Sequence, residues 1–96
     1  AGGLVLGVNV GVGPGVRIIT SQHSDVGRDT PILHAPLEFG AVQIGDDCDL
    51  GVGATVLPGT RLGRGVQVGA GAVVKGEFPD YSVLVGVPAR VLRLRD

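Results

Sequence analysis

The side chains with chemistry to offer gather in one stretch. His23 closes the run Ile18-Ile-Thr-Ser-Gln-His23, and Asp25, Arg28, Asp29, His34 and Glu38 follow between Ser24 and Ala41. An imidazole suits proton transfer near neutral pH, because its unperturbed pKa is about 6.5. On spacing alone His23 is equally a general base or a solvated loop histidine. His34, between Leu33 and Ala35, could line a binding site and is assigned to solvent. Asp25 stands two residues beyond His23, a spacing that fixes no relation inside a loop, so it receives no role. The single cysteine, Cys48, allows no internal disulfide and is expected as a buried thiol.

The flanking sequence must position that stretch. From Ile44 to Val74 an aliphatic residue returns every sixth position, as Ile44, Leu50, Val56, Leu62, Val68 and Val74. Two positions before each stands a small or β-branched residue: Val42, Cys48, Ala54, Thr60, Val66 and Ala72. A period of six fits neither a helix nor an ordinary strand; it marks the short sides of a parallel β-helix. Three hexads close a triangular coil, and stacked coils satisfy each other's backbone groups as parallel strands. Gly follows Ile44, Leu50, Leu62 and Val68, where corners need φ > 0 or close backbone approach. Leu6, Val12 and Ile18 carry the same phase, with Val10 and Val16 in the small series, so residues 4 to 23 form a further coil. Ile18 and Ile44 are out of phase by two, which predicts that 24–41 is a loop extruded from a corner. Long loops in compact domains are usually functional.

The expected organisation is a β-helix over 1–80, of three to four coils, followed by an extended exit segment, 81–96, in which Val91, Leu92 and Leu94 alternate with basic residues. So few coils need oligomerisation to complete their burial. The apolar start without a cap or an initiating Met is read as the C-terminal part of a longer protein. A net charge of −1 argues against binding nucleic acid through phosphate neutralisation. The run 1–15 has neither the basic flank of a signal peptide nor the length of a membrane span.

Three features then occur together: the His23 loop, the coil Ile44-Gly-Asp-Asp-Cys-Asp-Leu-Gly-Val-Gly-Ala-Thr-Val-Leu-Pro-Gly59, and the ending Gly86-Val-Pro-Ala-Arg90. With them the chain resembles the hexapeptide-repeat acyltransferases of the left-handed β-helix class, in particular the maltose, galactoside and polysaccharide O-acetyltransferase group. The resemblance implies an all-β, left-handed parallel β-helix that acts as a cytoplasmic homotrimer. Its coils would wind against the usual right-handed crossover. Acetyl-CoA would lie between neighbouring solenoids as co-substrate, with no metal. His23 would be the general base for an acceptor hydroxyl of a sugar or polysaccharide, so that Ser21, Ser24 and Cys48 are not needed as nucleophiles.

The same resemblance implies coenzyme contacts at Val52, Ala70, Lys75, Gly76, Arg90 and Arg93. Small residues leave a shallow groove for pantetheine, and cations pair with phosphates. Three positions depart from the family pattern. Val52 stands where some relatives have Ser, leaving only backbone contact. Val74-Lys75-Gly76-Glu77 lacks the usual Thr-Lys pair, and Asp49 stands where Trp is common, which bears on the groove wall or subunit interface. Two other readings compete. A trimerising scaffold without catalysis leaves the His23 loop unexplained, and a carbonic-anhydrase-like metal enzyme needs three His ligands where this chain has two.

Overall fold

The computed structural model describes residues 3–24 and 27–96. The first coil consists of β1 (Leu4–Leu6), β2 (Gly11–Val12) and β3 (Arg17–Ile18). An arm follows, with β4 (Ser21–His23), a 3₁₀ turn at Ile32–His34 and β5 (Leu37–Phe39). The second coil is β6 (Val42–Ile44), β7 (Asp49–Leu50) and β8 (Thr55–Val56), and the third is β9 (Arg61–Leu62), β10 (Gln67–Val68) and β11 (Val73–Val74). The fourth contributes β12 (Glu77–Phe78) and β13 (Ser82–Gly86), after which β14 (Ala89–Leu94) turns back.

Strands from successive coils stack into three faces, β1-β6-β9-β12, β2-β7-β10-β13-β14 and β3-β8-β11, parallel everywhere except the β13–β14 pair. The hexad predicts this register. Leu6, Ile44 and Leu62 align on one face, Val12, Leu50 and Val68 on the second, Ile18, Val56 and Val74 on the third. Both repeat series point inward. Ile44, Leu50, Val56, Val68 and Val74 pack with Val42, Cys48, Ala54, Val66 and Ala72 in one buried core, and Thr60 is buried beside them. Thr60 keeps its place because its hydroxyl donates to the carbonyl of Leu57 at 2.7 Å. Among the described residues the first coil stacks on the second, and Leu6 and Val12 are about half exposed.

Of the two reasons offered for the glycine after each aliphatic, close approach is the one that operates. A Cβ on Gly45 would sit 2.6 Å from the Gly63 carbonyl oxygen of the next coil, and one on Gly51 would sit 2.7 Å from that of Val68. The left-handed conformations fall two residues further on, at Asn9, Asp47 and Gly65, where the chain rounds the corner. Side chains bridge the coils here too: the Asp46 carboxylate accepts from the Val8 N–H and that of Asp80 from the Arg64 N–H, each at 2.8 Å.

The tail is extended, but its first strand has not left the solenoid. β13 pairs parallel with β10 and places Leu84, fully buried, on Val68. The repeat is shortened at one corner, since Phe78 follows Val74 by four residues, and then resumes, since Leu84 follows Phe78 by six. Only β14 folds back. Arg95 pins its end, donating from Nη1 to the Gly65 carbonyl at 2.9 Å and from its backbone N–H to that of Tyr81 at 2.7 Å.

Candidate active site

The described residues of the extruded segment form a folded arm. Its neck closes at Thr20, whose carbonyl accepts the Gly40 N–H at 2.9 Å. Above the neck β4 and β5 pair antiparallel, Ser21 opposite Phe39, Gln22 opposite Glu38 and His23 opposite Leu37. The extrusion therefore begins at Ser21, and His23 is the last residue of a paired strand.

The distal part of the arm folds back onto that strand. Ile32–His34 makes one 3₁₀ turn, closed by the Ala35 N–H on the Ile32 carbonyl at 3.0 Å. This buries Ala35 and aims its carbonyl at the imidazole, with 3.0 Å between His23 Nδ1 and Ala35 O. Next to it Ser24 donates from both its N–H and its hydroxyl to the Pro36 carbonyl, at 2.8 and 2.9 Å. A carbonyl oxygen only accepts, so hydrogen-bond logic assigns the proton of a neutral His23 to Nδ1 and the free lone pair to Nε2. The half-buried His23 lines a cavity of about 700 Å³ with Ser24, Arg28, Thr30, Pro31 and Ile32. The arrangement offers a fixed proton acceptor beside a space large enough for a small polar molecule.

His34 is exposed at the end of the 3₁₀ turn, as expected, and is not among the lining residues. Asp25 lies outside the described residues. The Ala35 carbonyl, Arg28 and Thr30 have no signal of their own in the sequence. They lie within the stretch marked for chemistry, but only the arm's fold shows which of its residues meet His23. Burial pushes the Cys48 thiol above its ordinary pKa, and its Sγ lies 3.1 Å from the Gly63 carbonyl, so it is an inert core group. Among the described residues no three His, Cys, Asp or Glu side chains converge as a metal site, and no helix is long and apolar enough to cross a membrane.

The residues expected to hold the coenzyme occupy three places. Val52 and Ala70 succeed one another at the corner between the second and third faces, where the Gly71 N–H donates to the Val52 carbonyl at 2.9 Å. Lys75 and Gly76 lie at the following corner, the one from which the arm leaves the first coil. Arg90 and Arg93 stand on β14, exposed, and their guanidinium groups donate to the backbone carbonyls of Ala89 at 3.1 Å and Leu94 at 3.4 Å. Asp49 is exposed on β7 with its carboxylate over Gly11.

A family model described as the hexapeptide repeat of succinyl-transferase matches residues 41–75, the second and third coils. A Schizosaccharomyces pombe protein named as a candidate acetyltransferase is 37% identical over 91 residues, covering 94% of this chain and 42% of its own. The chain is similar to the hexapeptide-repeat acyltransferases. An Escherichia coli protein named as a candidate lipopolysaccharide-biosynthesis O-acetyltransferase is 51% identical over 57 residues, 59% of this chain and 29% of its own. A galactoside acetyltransferase solved with coenzyme A superposes with a TM-score of 0.86 at 27% identity, over 95% of this chain and 44% of its own. The chain thus has the left-handed parallel β-helix of these hexapeptide-repeat structures. It spans less than half the length of these relatives.

Proposed function

We propose that the chain transfers an acetyl group from acetyl-CoA to a hydroxyl of a sugar or polysaccharide, with His23 as general base. The observation that carries this reading is the His23–Ala35 hydrogen bond, which leaves Nε2 as the proton acceptor on the wall of a cavity. The acceptor hydroxyl gives its proton to Nε2 as its oxygen attacks the thioester carbonyl carbon. The tetrahedral intermediate collapses with cleavage of the C–S bond, and the departing sulfur takes the proton back from the imidazolium. No enzyme-bound acetyl group is required. The relatives support the donor and the acceptor class, one being named for a galactoside and solved with coenzyme A, another for O-acetylation in lipopolysaccharide synthesis.

Pantetheine would run along the corner of Val52 and Ala70, with Lys75 and Gly76 at the next corner and the phosphates on Arg90 and Arg93. The assembly is a homotrimer in the cytoplasm. Ile32, Leu33, Leu37 and Phe39 support self-association, since they leave an apolar arm surface in water, Leu33 at 82% exposure. The direct test is release of free CoA thiol in the presence of a panel of sugars, with the wild-type chain and His23→Ala. Sugar-dependent release that disappears in the variant is expected; release that persists would reject His23 as the base.

A further inference from the structure

The wall of the His23 cavity carries information about the acceptor that the reaction itself does not require. Arg28 lines it together with Thr30, Pro31 and Ile32, and its neighbour Asp29 is not among the lining residues. Among the described lining residues there is no carboxylate. A guanidinium stays charged at any physiological pH and offers five N–H donors in a planar fork, with no acceptor. A neutral sugar hydroxyl can satisfy one of those donors, whereas a carboxylate or phosphate takes two in parallel and neutralises the charge. Pro31 and Ile32 on the same wall are exposed, as Arg28 is, so the pairing is solvent-accessible and its selectivity rests on the two-point geometry of the fork.

We infer that Arg28 is a specificity-determining residue and that the acceptor carries an anionic group, a carboxylate or a phosphate, beside the hydroxyl that is acetylated. This rests on the reading of the His23 cavity as the acceptor site. Arg28 touches the anion and not the reacting atoms. The hydroxyl points to Nε2 of His23, the anionic group to the guanidinium, and Thr30 is placed to hydrogen-bond the sugar between them. An uncharged analogue would bind without that anchor and lose orientation as well as affinity.

The test titrates glucuronate, glucose 6-phosphate and glucose separately into the CoA-saturated chain, as wild type, Arg28→Ala and Arg28→Lys. At least one anionic sugar should bind about tenfold or more tightly than glucose to the wild type, and which one does so separates carboxylate from phosphate. Arg28→Ala should bring that preference to within about twofold, and Arg28→Lys should keep part of it, because it retains the charge without the fork. Glucose bound as tightly as both anions, or a preference that Arg28→Ala retains, would overturn the inference. Binding is read apart from transfer. Acetylation that depends on His23 but ignores acceptor charge would reject the anion site alone, and a charge preference that survives in a chain where His23→Ala still acetylates would reject the reaction mechanism alone.

Discussion

His23 Nδ1 lies 3.0 Å from the carbonyl oxygen of Ala35, twelve residues further along the same arm. The contact joins the end of β4 to the residue that caps the 3₁₀ turn, so the path of the arm sets the tautomer of the ring. With Nδ1–H committed to a backbone carbonyl, Nε2 is held as an acceptor and the ring cannot swing away without losing the bond.

Replacing His23 by Ala removes that acceptor and little else, because the arm is also closed by its β4–β5 ladder and by Ser24 on the Pro36 carbonyl. We expect kcat to fall on the order of 10²–10⁴-fold, the usual contribution of a positioned base, while the affinity for CoA is unchanged. Steady-state kinetics beside a CoA titration of the variant check both parts. A parallel loss of CoA affinity would mean that the imidazole serves binding rather than proton transfer.

Arg90 and Arg93 are exposed on β14, where their guanidinium groups donate to the carbonyls of the adjacent residues Ala89 and Leu94. Replacing both by Ala should weaken CoA binding about tenfold or more through lost phosphate pairing, with no effect on a phosphate-free pantetheine analogue. Equal losses for the two ligands would assign these residues to the fold of β14 instead.

The repeat makes most of this architecture legible, because one side chain in each hexad must enter a core only wide enough for an aliphatic and its small neighbour. Ile44, Leu50 and Val56 are enough to define the coil, the register and the inward columns. The period is least informative where it is interrupted. Two residues are missing between Val74 and Phe78, which hides the return of the hexad at Leu84, so the sequence reads β13 as leaving the solenoid. In the arm the pairing of Ser21–His23 with Leu37–Phe39 has no periodic signal, since the strands are short and what joins them is long. His23 is visible as a residue type in a suspicious place. Its partner is not, because a backbone carbonyl has no sequence signature.

Gly65 rounds a corner with φ +64, in the column that holds Asn9 at +59 and Asp47 at +61, and a Cβ added to it would lie 2.6 Å from the Tyr81 ring. Gly65→Ala should destabilise the chain by about 2 kcal/mol, roughly half from the left-handed backbone and the rest from displacing the ring. Tyr81→Ala in the same chain should recover only the second part. Urea unfolding midpoints measure both, and a neutral Gly65→Ala would contradict the packing of the last coil.

Cys48 supplies a pH test of the core. Burial raises its thiol above the ordinary value of 9.0, so the folded chain holds the proton more tightly than the unfolded one. The stabilisation is complete below that value and is lost as pH rises from there through the raised folded-state pKa. Cys48→Ala puts in place the residue already found at Ala54 and Ala72 of the same inward series. Its stability should decline less steeply than the wild type's as pH rises above 9.0. Identical pH profiles would place the thiol in contact with solvent.

Calorimetric titration of acetyl-CoA into the purified chain tests most directly whether it is an acetyl-CoA enzyme rather than a bare trimerising solenoid, and it needs no knowledge of the acceptor. Saturable binding at one site per chain, weakened in the Arg90→Ala, Arg93→Ala double variant and preserved in His23→Ala, is the predicted result. No binding to a folded, trimeric chain would contradict the account and leave the solenoid as a scaffold.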